Sequence, residues 1–312
     1  MVEGLVAGIT WALETIFLSL ALQSTPFVKT DQAIFLAPFV STFLHDTCSA
    51  LYMLFFNLAR GKGKKVVKAL TTFNGRLVMV AALIGGPIGM TGYTLAVNNM
   101  GSAIGAVSTA IFPAIGSVLA CYFLKEKMQW YRWIFLIATL LGIYGLSYSP
   151  NVDIKNWGLG ILGVIMCSVG WGVEAVILAK SMQSDLVSDD VALQIRQSAS
   201  AIFYGIVLLP LLGGWKLTGS LFVNHEFHCL GLIALAGLFA TISYLFYYIA
   251  INKIGAAKAM ALDISYVAWA FLITVVVFNK YNLLNTLTIL CTLDVFICGI
   301  LAATDFSSLK GK

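Results

Sequence analysis

Seven ionisable side chains stand in stretches that are otherwise apolar: Glu14, His45, Asp46, Glu174, Arg196, Asp263 and Asp294. An ionisable group at the centre of a hydrocarbon layer costs at least ~2.5 kcal/mol, so each is a candidate working part and not surface decoration. Two of them come with a ring. Trp11 precedes Glu14 by three residues, and Trp171 precedes Glu174 by three, so on a helix each pair shares a face. A ring face beside a carboxylate suits an organic cation. A quaternary ammonium has no N–H to donate, and only ring faces and diffuse negative charge can meet it. Further rings recur at helical spacing: Tyr244, Tyr247 and Tyr248 on one side of a segment, and Asp263, Tyr266 and Trp269 every third residue in the next. Trp130, Tyr131, Trp133, Tyr148, Trp157 and Trp215 lie instead at segment ends, where Trp and Tyr commonly mark the membrane–water boundary.

Arg196 has Gln197 beside it and Asp46 as a candidate partner in the equivalent region of an earlier segment, a pairing that reads as structural. His45 next to Asp46 is either a proton relay or a packed, hydrogen-bonded histidine. Where Glu14 and Glu174 face one cavity, two close carboxylates resist simultaneous ionisation, which makes Glu14 a proton site, a second anchor for a dication, or a partner in a packing seam. The six cysteines form no CxxC pair, and most lie in apolar runs, so they read as free thiols. No phosphate-binding loop, nucleophile motif or zinc spacing occurs. The sequence thus gives no sign of an enzyme, a cofactor, a metal or a nucleic-acid partner.

The elements that position these residues are set by composition. Of 312 residues, 60% are hydrophobic and 11% charged, against about 25% charged in ordinary soluble domains. So few charges cannot cover a water-facing surface. Apolar runs bounded by polar clusters predict ten helical spans, each needing ~20 residues: 4–22, 33–59, 77–98, 102–124, 130–148, 158–181, 191–213, 229–252, 256–278 and 284–303. The runs are continuously apolar, which excludes the alternation of barrel strands. Glu3 and Glu14, with no Lys or Arg ahead of them, make the first run a retained helix and not a cleaved signal. With the N-terminus cytoplasmic, the inner segments carry 14 Lys and Arg (Lys310 and Lys312 among them) and the outer ones 4, so both termini are expected inside.

The chain also repeats itself. Trp11-Ala12-Leu13-Glu14 recurs as Trp171-Gly172-Val173-Glu174, Tyr93–Gly101 as Tyr247–Gly255, and Ser49-Ala50 as Ser200-Ala201. Phe112 pairs with Tyr266, and Leu124 with Phe278, at the Tyr93 offset. Two units of five spans are expected, 1–150 and 151–312. An odd number of spans inverts the second unit, and inverted repeats place a substrate site at the midplane between halves. Gly85-Gly86-Pro87-Ile88-Gly89, and the small residues of span 4 around Pro113, read as tight helix packing or as a flexing gate.

These residues resemble the drug/metabolite transporter superfamily, in its ten-helix EamA-type branch, and within it the LicB-type bacterial choline importers. The resemblance rests on Gly86-Pro87-Ile88-Gly89-Met90, His45-Asp46, Trp171-Gly172-x-Glu174, Ile195-Arg196-Gln197, Ser243-Tyr244-Leu245, Tyr247–Asn252, Ala257-Lys258-Ala259 and Ser265-Tyr266-Val267-x-Trp269. It implies an all-α inner-membrane protein that imports a choline-like cation as a monomer or homodimer. It also implies an aromatic cage with Trp11, Trp171, Tyr244 and Tyr266 as walls and Glu174 as the carboxylate. Two positions depart from the family pattern: a small residue is usual where Glu14 stands, and an Asn where Asp263 stands. Much of the superfamily exports amino acids or drugs, which is the competing reading. A receptor-like sensor would have no use for the repeat.

Overall fold

The computed structural model describes residues 1–147 and 154–306, and every described regular element is a helix. Tyr148 of the boundary set and Lys310 and Lys312 of the charge count lie outside the described residues. The apolar segments are α1 (Val2–Leu22), α2 (Asp31–Ala59), α3 (Phe73–Met100), α4 (Ser102–Thr109 and Phe112–Phe123), α5 (Trp130–Leu146), α6 (Trp157–Ser181), α7 (Asp189–Leu212), α8 (Phe227–Ile254), α9 (Ala256–Val277) and α10 (Thr286–Ala303). Eight of them are long and apolar enough to cross a membrane; α4 and α5 are apolar but shorter. Start signals are local. Thr30, Thr72, Asn156 and Asn285 each accept a backbone N–H three residues on, which satisfies an otherwise orphaned donor of the first turn.

The bundle is polar inside and apolar outside. Arg196, Gln197, Asp46, Ser49 and Ser200 are buried, while Leu287, Leu290, Leu293 and Ile297 line the outer face of α10 at helical spacing, each about half exposed. Water would not tolerate that surface; lipid does. Among the described residues, three short α-helices in the connections lie outside the predicted spans, Thr25–Val28, Gly63–Leu70 and Gly214–Val223, as does a 3-10 turn, Tyr281–Leu283.

Packing recurs when the halves are exchanged. α1 lies along α8 as α6 lies along α3, α1 meets α9 as α6 meets α4, and α5 pairs with α10. Close approach depends on small residues. A Cβ on Gly92 would lie 2.6 Å from Cys167 N, and one on Gly163 2.5 Å from Gly92 O, so α3 and α6 touch backbone to backbone. The turns into α4 and α9 are twins. Gly101 has φ 80° and ψ 157°, and Gly255 has φ 90° and ψ 159°, a conformation essentially closed to residues with a side chain. Both helices then break at residues 110–111 and 264–265, directly before an aromatic restart at Phe112 and Tyr266.

The start of α1, the end of α10 and the even-numbered connections gather at one end of the bundle. Lys253 Nζ donates to Glu3 Oε1 at 2.5 Å, Asn252 to Asp189, and Lys62 to Asp190. The Glu126 carboxylate accepts the N–H groups of Ala256 (2.7 Å) and Ala257 (3.1 Å) at the start of α9. Arg132 Nε donates to Ala302 O at 2.6 Å and so caps the end of α10. Gly255→Ala combines backbone strain with a Cβ 2.9 Å from Glu126 Oε1. It is expected to cost about 1–3 kcal/mol, read as a lowered unfolding midpoint of the purified protein in detergent, while Gly219→Ala, with open space around it, stays near wild type.

Candidate functional site

Glu14, His45, Asp46, Glu174 and Arg196 form one buried chain, each less than a tenth exposed. His45 stands between two carboxylates, with Nε2 3.2 Å from Glu14 Oε1 and Nδ1 2.9 Å from Asp46 Oδ1. Arg196 Nε donates to Glu174 Oε1 at 2.8 Å, and its Nη1 donates to Gln197 Oε1 at 2.8 Å and lies 3.8 Å from Asp46 Oδ2. Ser200 Oγ donates to Asp46 Oδ2 at 2.6 Å. Gln197 Nε2 donates to Ser49 Oγ at 2.9 Å, and Ser49 meets Thr241 at 2.7 Å. The expected partner of Arg196 was Asp46; the nearer one is Glu174. A guanidinium presents several donors in a plane, and this one uses them on both carboxylates and an amide.

The network carries the symmetry of the sequence. His45 and Arg196 occupy the register set by Ser49 and Ser200, as do Asp46 and Gln197. In each half, the glutamate of the first helix therefore meets the basic residue of the second: Glu14 with His45, and Glu174 with Arg196. Two of the links between halves, Asp46 to Ser200 and Gln197 to Ser49, are images of each other.

Glu174 has room because α3 gives way. Between Ile84 and Ile88 the helix widens into a π turn, and Gly89 N–H reaches back five residues to Ile84 O. The carbonyl of Gly85 accepts the Trp171 indole N–H at 3.0 Å. A Cβ on Gly85 would fall 1.7 Å from Glu174 Oε2, one on Gly86 2.7 Å from Ser200 Oγ, and one on Gly89 2.9 Å from Trp171 Cδ1. The glycines of this segment thus clear space for three side chains of the site. A second π turn, Tyr204–Leu208 in α7, repeats the device, with Gly205 O accepting the Trp215 indole at 3.0 Å.

The rings gather beside the network. Trp11 stacks on Tyr266 at 3.9 Å between centroids, and Phe112 meets Trp171 edge-on at 5.5 Å. Trp11 also lies 6.2 Å from Phe112, and Tyr93 6.1 Å from Trp171. Trp11–Tyr266 and Trp171–Phe112 are the same pair in the two halves. The site reading passed over Phe112 and Tyr93 because neither has an ionisable neighbour on its face; the pairing of Phe112 with Tyr266 in the repeat was the signal for the first. Tyr244 is near, but Arg196 lies over its ring face at 4.8 Å. Tyr247 and Tyr248 are buried behind it, 6.2 Å apart. Trp269 turns away, against Phe296 of α10 at 4.7 Å. Asp294 also lies elsewhere, in the α5–α10 seam, accepting from Cys298 Sγ at 3.0 Å. Asp263 ends the first part of α9, buried.

Removing Arg196 would leave buried carboxylates unpaired. Arg196→Met is expected to cost about 3–5 kcal/mol in denaturant unfolding, and adding Glu174→Gln should recover part of that loss. Equal, additive losses in the double variant would mean that the two side chains do not interact.

Residues 2–148 match the EamA-like transporter family. Protein LicB of Haemophilus influenzae is 28% identical over 272 residues, which is 86% of this chain and 85% of that protein. A solved crystal structure superposes with a TM-score of 0.71 at 17% identity, covering 97% of this chain and 96% of its own, a likeness of fold alone.

Proposed function

Because the chain is a multi-pass membrane protein of the EamA-like transporters, in the drug/metabolite transporter superfamily, we propose that it moves a choline-like organic cation across the inner membrane by alternating access, with net uptake driven by the membrane potential. The observation that carries this reading is the excess of acids beside the rings. Four buried carboxyl groups (Glu14, Asp46, Glu174 and Asp263) stand in one region with one guanidinium and one imidazole. Acids thus outnumber bases there by at least two, a surplus that a cation would answer in a setting of low dielectric, where an uncompensated charge is costly. The rings of Trp11, Tyr266, Trp171 and Phe112 supply the faces that an alkylated ammonium needs. The resemblance to choline importers points the same way. The bias of Lys and Arg toward the even-numbered connections favours cytoplasmic termini.

A monovalent cation entering a cell gains about 2.3 kcal/mol per 100 mV of inside-negative potential, roughly 50-fold accumulation. Purified protein in liposomes should take up labelled choline when such a potential is imposed, and the accumulation should scale with it. Uptake indifferent to the potential refutes electrogenic import, and outward movement of neutral amino acids in place of cation uptake would support export.

Each ring should matter by its face. Trp11→Phe is expected to keep part of the binding and Trp11→Leu much less, at about 0.5–2 kcal/mol per ring, by titration of the purified protein with choline. Equal affinities of the two variants would mean that Trp11 only packs.

A further inference from the structure

Of the four buried carboxylates just named, three are already answered by the protein: Glu14 by His45, Asp46 by His45 and Ser200, and Glu174 by Arg196. Asp263 is not. It is 5% exposed, its Oδ1 has no hydrogen-bond partner among the described residues, and no basic side chain pairs with it. Buried carboxylates are almost always hydrogen-bonded, so an orphan of this kind marks a place that something else completes. Its setting is a helix break. α9 is interrupted just after Asp263, and the hydroxyl of Ser265 in the break is also buried without a partner. α1 is pressed flush against the break, since a Cβ on Gly8 would lie 2.6 Å from Ser265 Oγ and 3.2 Å from Asp263 O. One turn beyond Gly8 on α1 is Trp11, and it stacks on Tyr266, the first residue of α9 after the break. Asp263 lies within electrostatic reach of both Tyr266 and Glu14. The break that carries the unanswered carboxylate thus adjoins the rings, whereas the glutamate expected to serve them is held by Arg196.

We infer that Asp263 is the group that receives the transported cation, accepting a hydrogen bond from it and balancing its charge, so that the substrate is an organic cation carrying at least one O–H or N–H donor. This rests on the proposed cation transport and adds the substrate class and the residue that selects it. Rings recognise the alkylated head without direction; an orphaned acceptor demands a donor, and leaving it unmet is what disfavours ligands without one. A cation with no donor, such as tetramethylammonium, leaves Asp263 unsatisfied. A zwitterion such as glycine betaine brings a carboxylate toward it.

The test is titration of the purified full chain, wild type and Asp263→Leu, with choline, tetramethylammonium and glycine betaine, with the ligand-free unfolding midpoint as the folding control. In wild type, choline is expected to bind at least about 10-fold more tightly than either of the others. In Asp263→Leu, which removes the acceptor together with the charge, choline affinity should fall about 10- to 100-fold, the size of a hydrogen bond to a charged group, and the advantage over tetramethylammonium should shrink. Equal binding of choline and tetramethylammonium by wild type overturns the donor requirement without any variant. Unchanged choline affinity in a folded Asp263→Leu overturns the role of Asp263 and leaves cation transport standing. Wild-type protein that binds neither choline nor tetramethylammonium overturns cation transport itself.

Discussion

The structure depends on one buried ion pair, Arg196 with Glu174. A guanidinium cannot shed its charge, and in an interior without water it must be met by carboxylates and acceptors in fixed places. Much of the surrounding architecture follows. Glu174 can reach Arg196 only if α3 offers no side chain at Gly85, and Ser200 can reach Asp46 past α3 only if none stands at Gly86. A glycine-proline run weakens a helix, and here the π turn leaves a carbonyl that the Trp171 indole takes up. The same indole stands against Phe112 in the ring cluster. Packing, backbone irregularity and ring placement are thus one arrangement seen from three sides. The readings of this segment as tight packing and as a special functional element are not alternatives.

The two halves use one plan with different chemistry. The glutamate-to-base pair is His45 in the first half and Arg196 in the second. An imidazole has two nitrogens, and it can donate to Glu14 and Asp46 together only as an imidazolium; a guanidinium has no such choice. The first-half pair is therefore the conditional one and the second-half pair the permanent one. The backbone is asymmetric too. The π turn of α3 has no counterpart in α8, which runs unbroken from Phe227 to Ile254. In the proposed transport, a symmetric scaffold with an asymmetric lining would let two matching helix pairs rock against each other while the chemistry stays attached to one side.

The spans were legible because hydrocarbon imposes a long, continuous apolar run, and each predicted span lies within four residues of an observed helix end. The interruptions were legible only in part. Pro113 follows the break at 110–111, and Pro210 leaves the carbonyl of Ile206, inside the π turn of α7, without its usual donor; no proline marks the break at 264–265. The helix Gly63–Leu70 was hidden because its lysines read as a loop. For the site, the repeat was the informative signal: it brought Trp11, Glu14, Trp171 and Glu174 into one neighbourhood. Spacing alone misled at Trp269. Residues three apart share a face only along an unbroken helix, and the interruption of α9 comes between Asp263 and Trp269. Partner choice was also beyond the sequence, since both Asp46 and Glu174 lie within reach of Arg196 and only coordinates rank them.

Transport of the proposed kind needs one end of the bundle to part while the helix pairs stay whole, and the contacts differ in how readily they yield. α3 and α6 meet backbone to backbone at Gly92 and Gly163, and α1 and α8 share a hydrogen bond from Ser243 Oγ to Ala7 O at 2.9 Å, deep in the bundle. Such seams are dry and close-packed, and separating them exposes backbone to solvent or lipid. The end where α1 begins is held otherwise. Lys253 to Glu3, and Arg60 to the buried Asp190 at 3.5 Å, are links whose cations have water access, where ions are rehydrated as soon as they part and salt weakens them further. Links of that kind close an end reversibly, while the glycine seam keeps α3 with α6 and the buried Ser243–Ala7 contact keeps α1 with α8. The moving parts are then these two pairs, and the buried network from Glu14 to Glu174 lies across the line where they meet. A bound cation changes the electrostatics of that line more than of any other place in the molecule, which is how occupancy of the site would be felt at the closed end.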